Sequence, residues 1–142
     1  MNIVFIGYRC CGKTEVGKIL ARELRRSFLD TDSLIEKTTG CFIEMIVSRH
    51  GWNYFREIEK RLVEEVSSGD NLVIATGGGV ILDQENVKNL EENGWIVCLK
   101  GENEVLKARM GKEQESNKIR PSLTGDDPLE EIDQVLEERT PL

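Results

Sequence analysis

Apolar positions in this chain alternate between short solid runs and spaced stripes. Residues 2–6 (Asn-Ile-Val-Phe-Ile) form the first run, rich in β-branched and aromatic side chains, and suit a strand buried on both faces. Val16, Ile19, Leu20 and Leu24 then recur at helical spacing and predict a helix over 13–26. A short second strand is expected over 27–29, followed by a short helix over 33–39 that Gly40 breaks. Ile43, Met45, Ile46 and Val47 suggest another short helix, closed by Gly51. Phe55, Ile58, Leu62, Val63 and Val66 mark one face of a longer helix over 53–68. Residues 71–76 (Asn-Leu-Val-Ile-Ala-Thr) make the clearest internal strand. Asp83 is placed to cap a helix that Asn93-Gly94 ends, and residues 95–99 form a fourth strand with Cys98 in the core. Beyond it, 102–110 predicts a short helix and 111–118 is polar and without period. Leu129, Ile132, Val135 and Leu136 give a last amphipathic helix ending near Arg139.

Strand and helix alternate four times. That order specifies an α/β fold, a three-layer sandwich with a central parallel sheet and right-handed crossovers. Ligands of such folds lie past the carboxyl ends of the strands. Three segments follow strands directly: 7–14, 30–32 and 77–79.

Composition narrows the class. A chain of 142 residues with 39% hydrophobic and 32% charged residues reads as one soluble globular domain. No apolar run approaches membrane-spanning length, and the first run is too short for a signal peptide, so a cytoplasmic location is expected. The net charge of −7 argues against nucleic acid as the main partner, because a phosphate backbone demands a basic face. Cys10, Cys11, Cys41 and Cys98 show no C-x-x-C spacing and His50 is the single histidine, which disfavours a zinc site or a disulfide framework.

The chemistry concentrates in Gly7-Tyr8-Arg9-Cys10-Cys11-Gly12-Lys13-Thr14, a full match to the phosphate-loop pattern G-x-x-x-x-G-K-[S/T]. Glycines let consecutive N–H groups turn toward phosphate oxygens. Lys13 supplies a point charge near the β- and γ-phosphates, and the Thr14 hydroxyl can ligate Mg²⁺. The bland alternative is an ordinary Gly-rich strand-to-helix turn, but a strand before and a helix after favour the nucleotide site. Asp30-Thr31-Asp32 puts two carboxylates two apart at a strand end, where alternation aims both at the crevice; a helix cap needs only one of them. Gly77-Gly78-Gly79 after a buried strand is better explained by close approach of backbone to a ligand than by a turn. On pattern alone Arg56 is a solvated surface charge beside Glu59, worth little. Arg120, in a polar stretch over 111–124, suits a closing lid on a phosphate-binding fold, with a plain surface loop as the alternative.

Taken together, these pieces resemble the shikimate kinases, small P-loop kinases of the nucleoside-monophosphate-kinase type. Gly7 to Thr14, Phe28-Leu29-Asp30-Thr31-Asp32, Phe55-Arg56-Glu57-Ile58-Glu59, Ala75-Thr76-Gly77-Gly78-Gly79-Val80, Arg120-Pro121-Ser122-Leu123 and Glu138-Arg139-Thr140-Pro141-Leu142 occur in family order over essentially the whole chain. The resemblance implies transfer of the γ-phosphoryl of ATP to the 3-hydroxyl of shikimate, in aromatic amino-acid biosynthesis. It implies ATP contacts from Gly7, Cys10, Cys11, Gly12, Lys13, Thr14 and Arg120, with Thr14 and Asp30 organising Mg²⁺. Asp32, Arg56, Gly77, Gly78 and Gly79 would bind the substrate and Glu59 would hold Arg56. Lys13, Asp32 and Arg120 would be catalytic. It further implies a single domain with a substrate-binding region over 32–60 and a mobile lid over 111–124, acting as a monomer on small molecules, away from membranes.

One departure from the family pattern stands out. After Glu-Arg-Thr-Pro-Leu the family continues with a tyrosine, a second substrate-binding arginine, a fifth strand and an adenine-contacting loop, whereas this sequence ends at Leu142. Four of the usual five strands are therefore expected, and loss of one charge-assisted bond to the carboxylate predicts about ten- to a hundred-fold weaker affinity. Two other functions compete: a P-loop kinase of another small polyol acid such as gluconate, and a catalytically weak ligand-binding or regulatory domain on the same fold. Arg56 with Gly77–Gly79 opposes the first. Intact Lys13, Asp30, Asp32 and Arg120 oppose the second.

Overall fold

A computed structural model describes residues 1–7 and 12–99. The elements are β1 (Asn2–Ile6), α1 (Lys13–Leu24), β2 (Ser27–Asp30), α2 (Thr31–Thr39), α3 (Ile43–His50), α4 (Trp52–Ser67), β3 (Leu72–Ala75), α5 (Gln84–Glu92) and β4 (Gly94–Cys98), with a single 3₁₀ turn at Val80–Leu82. The four strands form one sheet in the order β2-β3-β1-β4, and every pairing is parallel. The α/β sandwich expected from the alternation is therefore present. The helices expected over 102–110 and up to Arg139, and the segment 111–124, lie outside the described residues.

The period of two in β1 builds both faces of the sheet. Phe5 joins Ala21 of α1 and Val73 of β3 on one face, with Ile3 packed beside them. Val4 joins Val63 and Val66 of α4, Ile74 of β3 and Leu90 of α5 on the other. Val4, Val63, Val73 and Ile74 are fully buried; each such side chain contributes about 1.5–3 kcal/mol relative to exposure. A further apolar cluster of Ile35, Ile46 and Phe55 holds α2, α3 and the start of α4 together. Asn2, the polar residue in the first apolar run, is buried and answers to the sheet: it donates to Gly69 O and accepts from Leu72 N–H, tying β1 to the entry of β3.

Some boundaries move for local reasons. The helix expected from Ser33 begins at Thr31, because the Asp30 carboxylate caps it by accepting from the N–H groups of Asp32 and Ser33. The helix expected to reach Arg26 ends at Leu24, with Arg25 in the left-handed conformation that drops the chain into β2. Asp83 caps α5 as expected, accepting from Glu85 N–H. Cys98 is a correction: it is exposed, not core. β4 is the edge strand of the described sheet, and Trp95 on it is 68% exposed as well. An apolar run reads as a doubly covered strand, but coverage depends on a strand's place in the sheet, which its own residues do not encode.

Candidate active site

Three strand ends carry the site. β1 ends at Ile6 and passes through Gly7; after the undescribed residues 8–11, which include Cys10 and Cys11, the chain enters α1 at Lys13. Gly12 occupies the N-cap of α1 with φ of 89° and provides no side-chain cap. At the start of a twelve-residue helix the dipole favours an anion. Lys13 is buried to 9% exposure, and its Nζ donates to the Gly7 carbonyl at 2.6 Å. That bond closes the loop across its own ends and keeps the ammonium at the mouth of the helix.

β2 contributes the carboxylates. Asp30 serves two ends at once: Oδ1 caps α2, while Oδ2 accepts from the Thr14 hydroxyl at 2.7 Å. The cap is realised on one oxygen, and the other turns to Thr14 at the start of α1. Asp32 reaches the site differently from the strand alternation expected for it. It lies in the first turn of α2, and its position follows from helix geometry.

β3 contributes the glycine run. Gly77 is held by its N–H donating to the Thr31 hydroxyl at 3.0 Å, in a fully buried bond. The hydroxyl of Thr76 donates to Phe5 O at 2.8 Å, which fixes the end of β3 against β1. A Cβ on Gly77 would stand 2.7 Å from Asp32 Oδ1 and 3.1 Å from Glu59 Oε2. One on Gly79 would stand 2.1 Å from Arg56 Nη2 and 2.5 Å from its Cζ. The glycines are therefore required by close approach: Asp32, Glu59 and Arg56 press directly on this backbone.

Arg56 is not the solvated surface charge that its helix pattern suggests. Its side chain is 26% exposed, and Nη1 donates to Glu59 Oε1 at 2.7 Å, with the Glu59 side chain 1% exposed. A carboxylate buried to that degree needs a full charge partner, and removing one member of such a pair typically costs about 3–5 kcal/mol. The pair spans one turn of α4 and delivers a planar guanidinium to the crevice beside Asp32. Gly7, Gly12, Lys13, Thr14, Asp30, Asp32, Arg56, Glu59 and Gly77–Gly79 all lie at or beside the carboxyl ends of β1, β2 and β3. Arg120 lies outside the described residues. Two contributors were not legible beforehand: Thr31, which anchors Gly77, and Trp52, whose ring lies under Arg56. Thr31 sits inside the Asp-Thr-Asp motif, so its signal was present but overshadowed by the two carboxylates.

Chemically, a phosphate-binding helix start, a buried lysine, a hydroxyl–carboxylate pair and a guanidinium beside a second carboxylate define a P-loop kinase of the nucleoside-monophosphate-kinase type, built to move a phosphoryl group onto a small acidic acceptor. The shikimate kinase family profile matches residues 9–142, and the chain belongs to that family. It is 44% identical over 140 residues to the shikimate kinase of Caldanaerobacter subterraneus subsp. tengcongensis, covering 99% of this chain and 80% of the relative. The shikimate kinase of Thermodesulfovibrio yellowstonii is 43% identical over 141 residues, covering 99% and 79%. Among solved structures, shikimate kinase from Acinetobacter baumannii in complex with shikimate superposes with a TM-score of 0.89 at 35% identity, covering 99% of this chain and 76% of that one. The Aquifex aeolicus shikimate kinase gives 0.81 at 31%, covering 99% and 80%. A gluconokinase from Sinorhizobium meliloti, at 19% identity and a TM-score of 0.53, shares the fold alone.

Proposed function

We propose that this chain transfers the γ-phosphoryl group of ATP to the 3-hydroxyl of shikimate, giving shikimate 3-phosphate and ADP. The observation that carries it is the placement of Arg56, locked on buried Glu59, against the same glycine run that Asp32 touches. That juxtaposition sets a carboxylate clamp and a proton acceptor side by side, next to a phosphate-binding helix start.

In this mechanism Arg56 binds the substrate carboxylate and orients the ring. Asp32 hydrogen-bonds the acceptor hydroxyl and takes its proton as the oxygen attacks phosphorus. A bond forms between that oxygen and the γ-phosphorus, and the bond from phosphorus to the β,γ-bridging oxygen breaks, releasing ADP. Lys13 stabilises charge on the transferring group, and Arg120 is assigned the same role. Backbone N–H groups of Gly78 and Gly79 orient the substrate.

The Thr14 hydroxyl and Asp30 carboxylate, 2.7 Å apart, are hard oxygen donors of the kind Mg²⁺ selects. They would hold Mg²⁺ and its waters, and the ion would neutralise charge on the β- and γ-phosphates. Among the described residues there is no cluster of three or more His, Cys, Asp or Glu able to hold a metal. Residues 32–60 serve as the substrate-binding region and 111–124 as the lid. We further assign a cytoplasmic monomer acting on ATP and shikimate without nucleic acid. The net charge of −7 supports the last point, and among the described residues no helix is long and apolar enough to cross a membrane.

The test is ADP release with Mg²⁺-ATP and a panel of acceptors. Turnover with shikimate and none with gluconate is expected. ADP release driven by gluconate, or equal release without any acceptor, would overturn the assignment.

A further inference from the structure

Arg56 is held by more than its carboxylate partner. Its Cζ lies 5.1 Å from the centroid of the Trp52 ring and 5.2 Å from that of Phe55. The two rings meet edge to face, with centroids 5.6 Å apart and planes at 80°. Phe55 is buried in the cluster with Ile35 and Ile46, and the partly buried Trp52 packs on that same cluster. The rings are thereby fixed to α2 and α3 before any ligand arrives. On α4, Trp52 precedes Arg56 by four residues and Glu59 follows it by three, so the whole holder fits in the first turns of one helix. Glu59 takes Nη1, while Nη2 presses on Gly79.

Resting on the assignment of Arg56 as the carboxylate clamp, we propose that Trp52 is a positioning residue for substrate recognition. Its ring holds the guanidinium in the plane and place from which it meets the substrate carboxylate. An arginine has many rotamers, and restricting them beforehand lowers the ordering cost of binding. A partly desolvated cation–π contact is strong enough to do this. The competing role is purely structural, with Trp52 as a filler of the α2–α4 cluster. The two roles predict different outcomes.

The experiment compares the full chain with its Trp52→Leu and Trp52→Phe variants. Steady-state kinetics give KM for shikimate and for ATP, melting gives stability, and ¹⁵N-arginine side-chain spectra of the unliganded protein report the order of Arg56. Arg56→Lys assigns the signal. Trp52→Leu should raise KM for shikimate about three- to thirty-fold, leave KM for ATP within about two-fold, and merge or broaden the Arg56 Nη resonances. Trp52→Phe, which keeps a ring face, should recover most of both effects. An unchanged KM for shikimate with an unchanged Arg56 spectrum overturns the proposal. So does a parallel rise in both KM values that tracks a lowered melting temperature. If Trp52→Leu does not fold, Trp52→Met, whose flexible ring-less side chain adapts better to the space left, is measured in its place. If the parent chain shows no turnover with shikimate, the assigned reaction falls and the role in shikimate recognition falls with it; the unliganded spectra then decide only whether Trp52 orders Arg56, which a preserved Arg56 signal in the ring-less variant overturns and its loss upholds.

Discussion

Replacing Gly79 with alanine should separate substrate recognition from nucleotide binding. The added Cβ would stand 2.1 Å from Arg56 Nη2 and 2.5 Å from Cζ and Nη1, about an ångström inside ordinary contact. Something must move, and the guanidinium is the far end of a flexible side chain, so it yields before the backbone does. Yielding is not free. Nη1 is bonded to a Glu59 carboxylate that is 1% exposed, and two aromatic rings lie against Cζ. Complete loss of the ion pair would cost about 3–5 kcal/mol. A displacement that stretches the pair falls nearer the usual cost of overpacking, about 1–3 kcal/mol, which a folded domain survives. For catalysis the shift matters more, because misplacing a binding group by about 1 Å can lower rate about a hundred-fold. Gly79→Ala should therefore lower kcat/KM for shikimate by about 10²-fold. KM for ATP should stay near the parent value, since neither the Gly7–Lys13 nor the Thr14–Asp30 contact involves Arg56 or Gly79. The assay is coupled ADP release over a shikimate titration at saturating ATP, repeated with the substrates exchanged. A kcat/KM for shikimate within two-fold of the parent would refute the claim that this glycine exists to let Arg56 approach.

Three other perturbations probe the remaining contacts. Lys13→Ala removes the charge at the start of α1 and should lower kcat by about 10²–10³ or more; circular dichroism should show the fold intact, and near-parental turnover would remove Lys13 from catalysis. Thr31→Val keeps the shape but leaves the buried Gly77 N–H without its acceptor, so stability should fall by about 1–3 kcal/mol; an unchanged denaturation midpoint would show that this bond is unimportant. Asp30→Asn retains a capping oxygen for α2 while deleting the charge beside Thr14. The Mg²⁺ concentration for half-maximal activity should then rise about 10- to 100-fold with little change in melting temperature, and an unaltered Mg²⁺ titration would exclude Asp30 from the metal site.

Much of this protein is decided locally, and local decisions can be read along the chain. Alternating apolar runs and helical stripes set the order of the elements, because a strand buried on both faces and an amphipathic helix need different spacings. The phosphate loop, the Asp-Thr-Asp motif and the triple glycine each sit at the end of an apolar run, so their convergence on one edge of a parallel sheet follows from topology alone. Which oxygen of Asp30 caps and which meets Thr14 depended on where α2 starts, a matter of two residues that propensity does not resolve. The exposure of Cys98 depended on β4 lying at the edge of the described sheet. Arg56 shows the limit most clearly. Its spacing is that of a surface charge, and it leaves the solvent only because folding buries Glu59 beneath it, sets Trp52 and Phe55 against it, and brings Gly79 from a segment over twenty residues away. Spacing along a helix records which residues share a face. What stands opposite that face, and how dry it is, is set by the packing of distant segments, and there the electrostatic worth of a charge is determined.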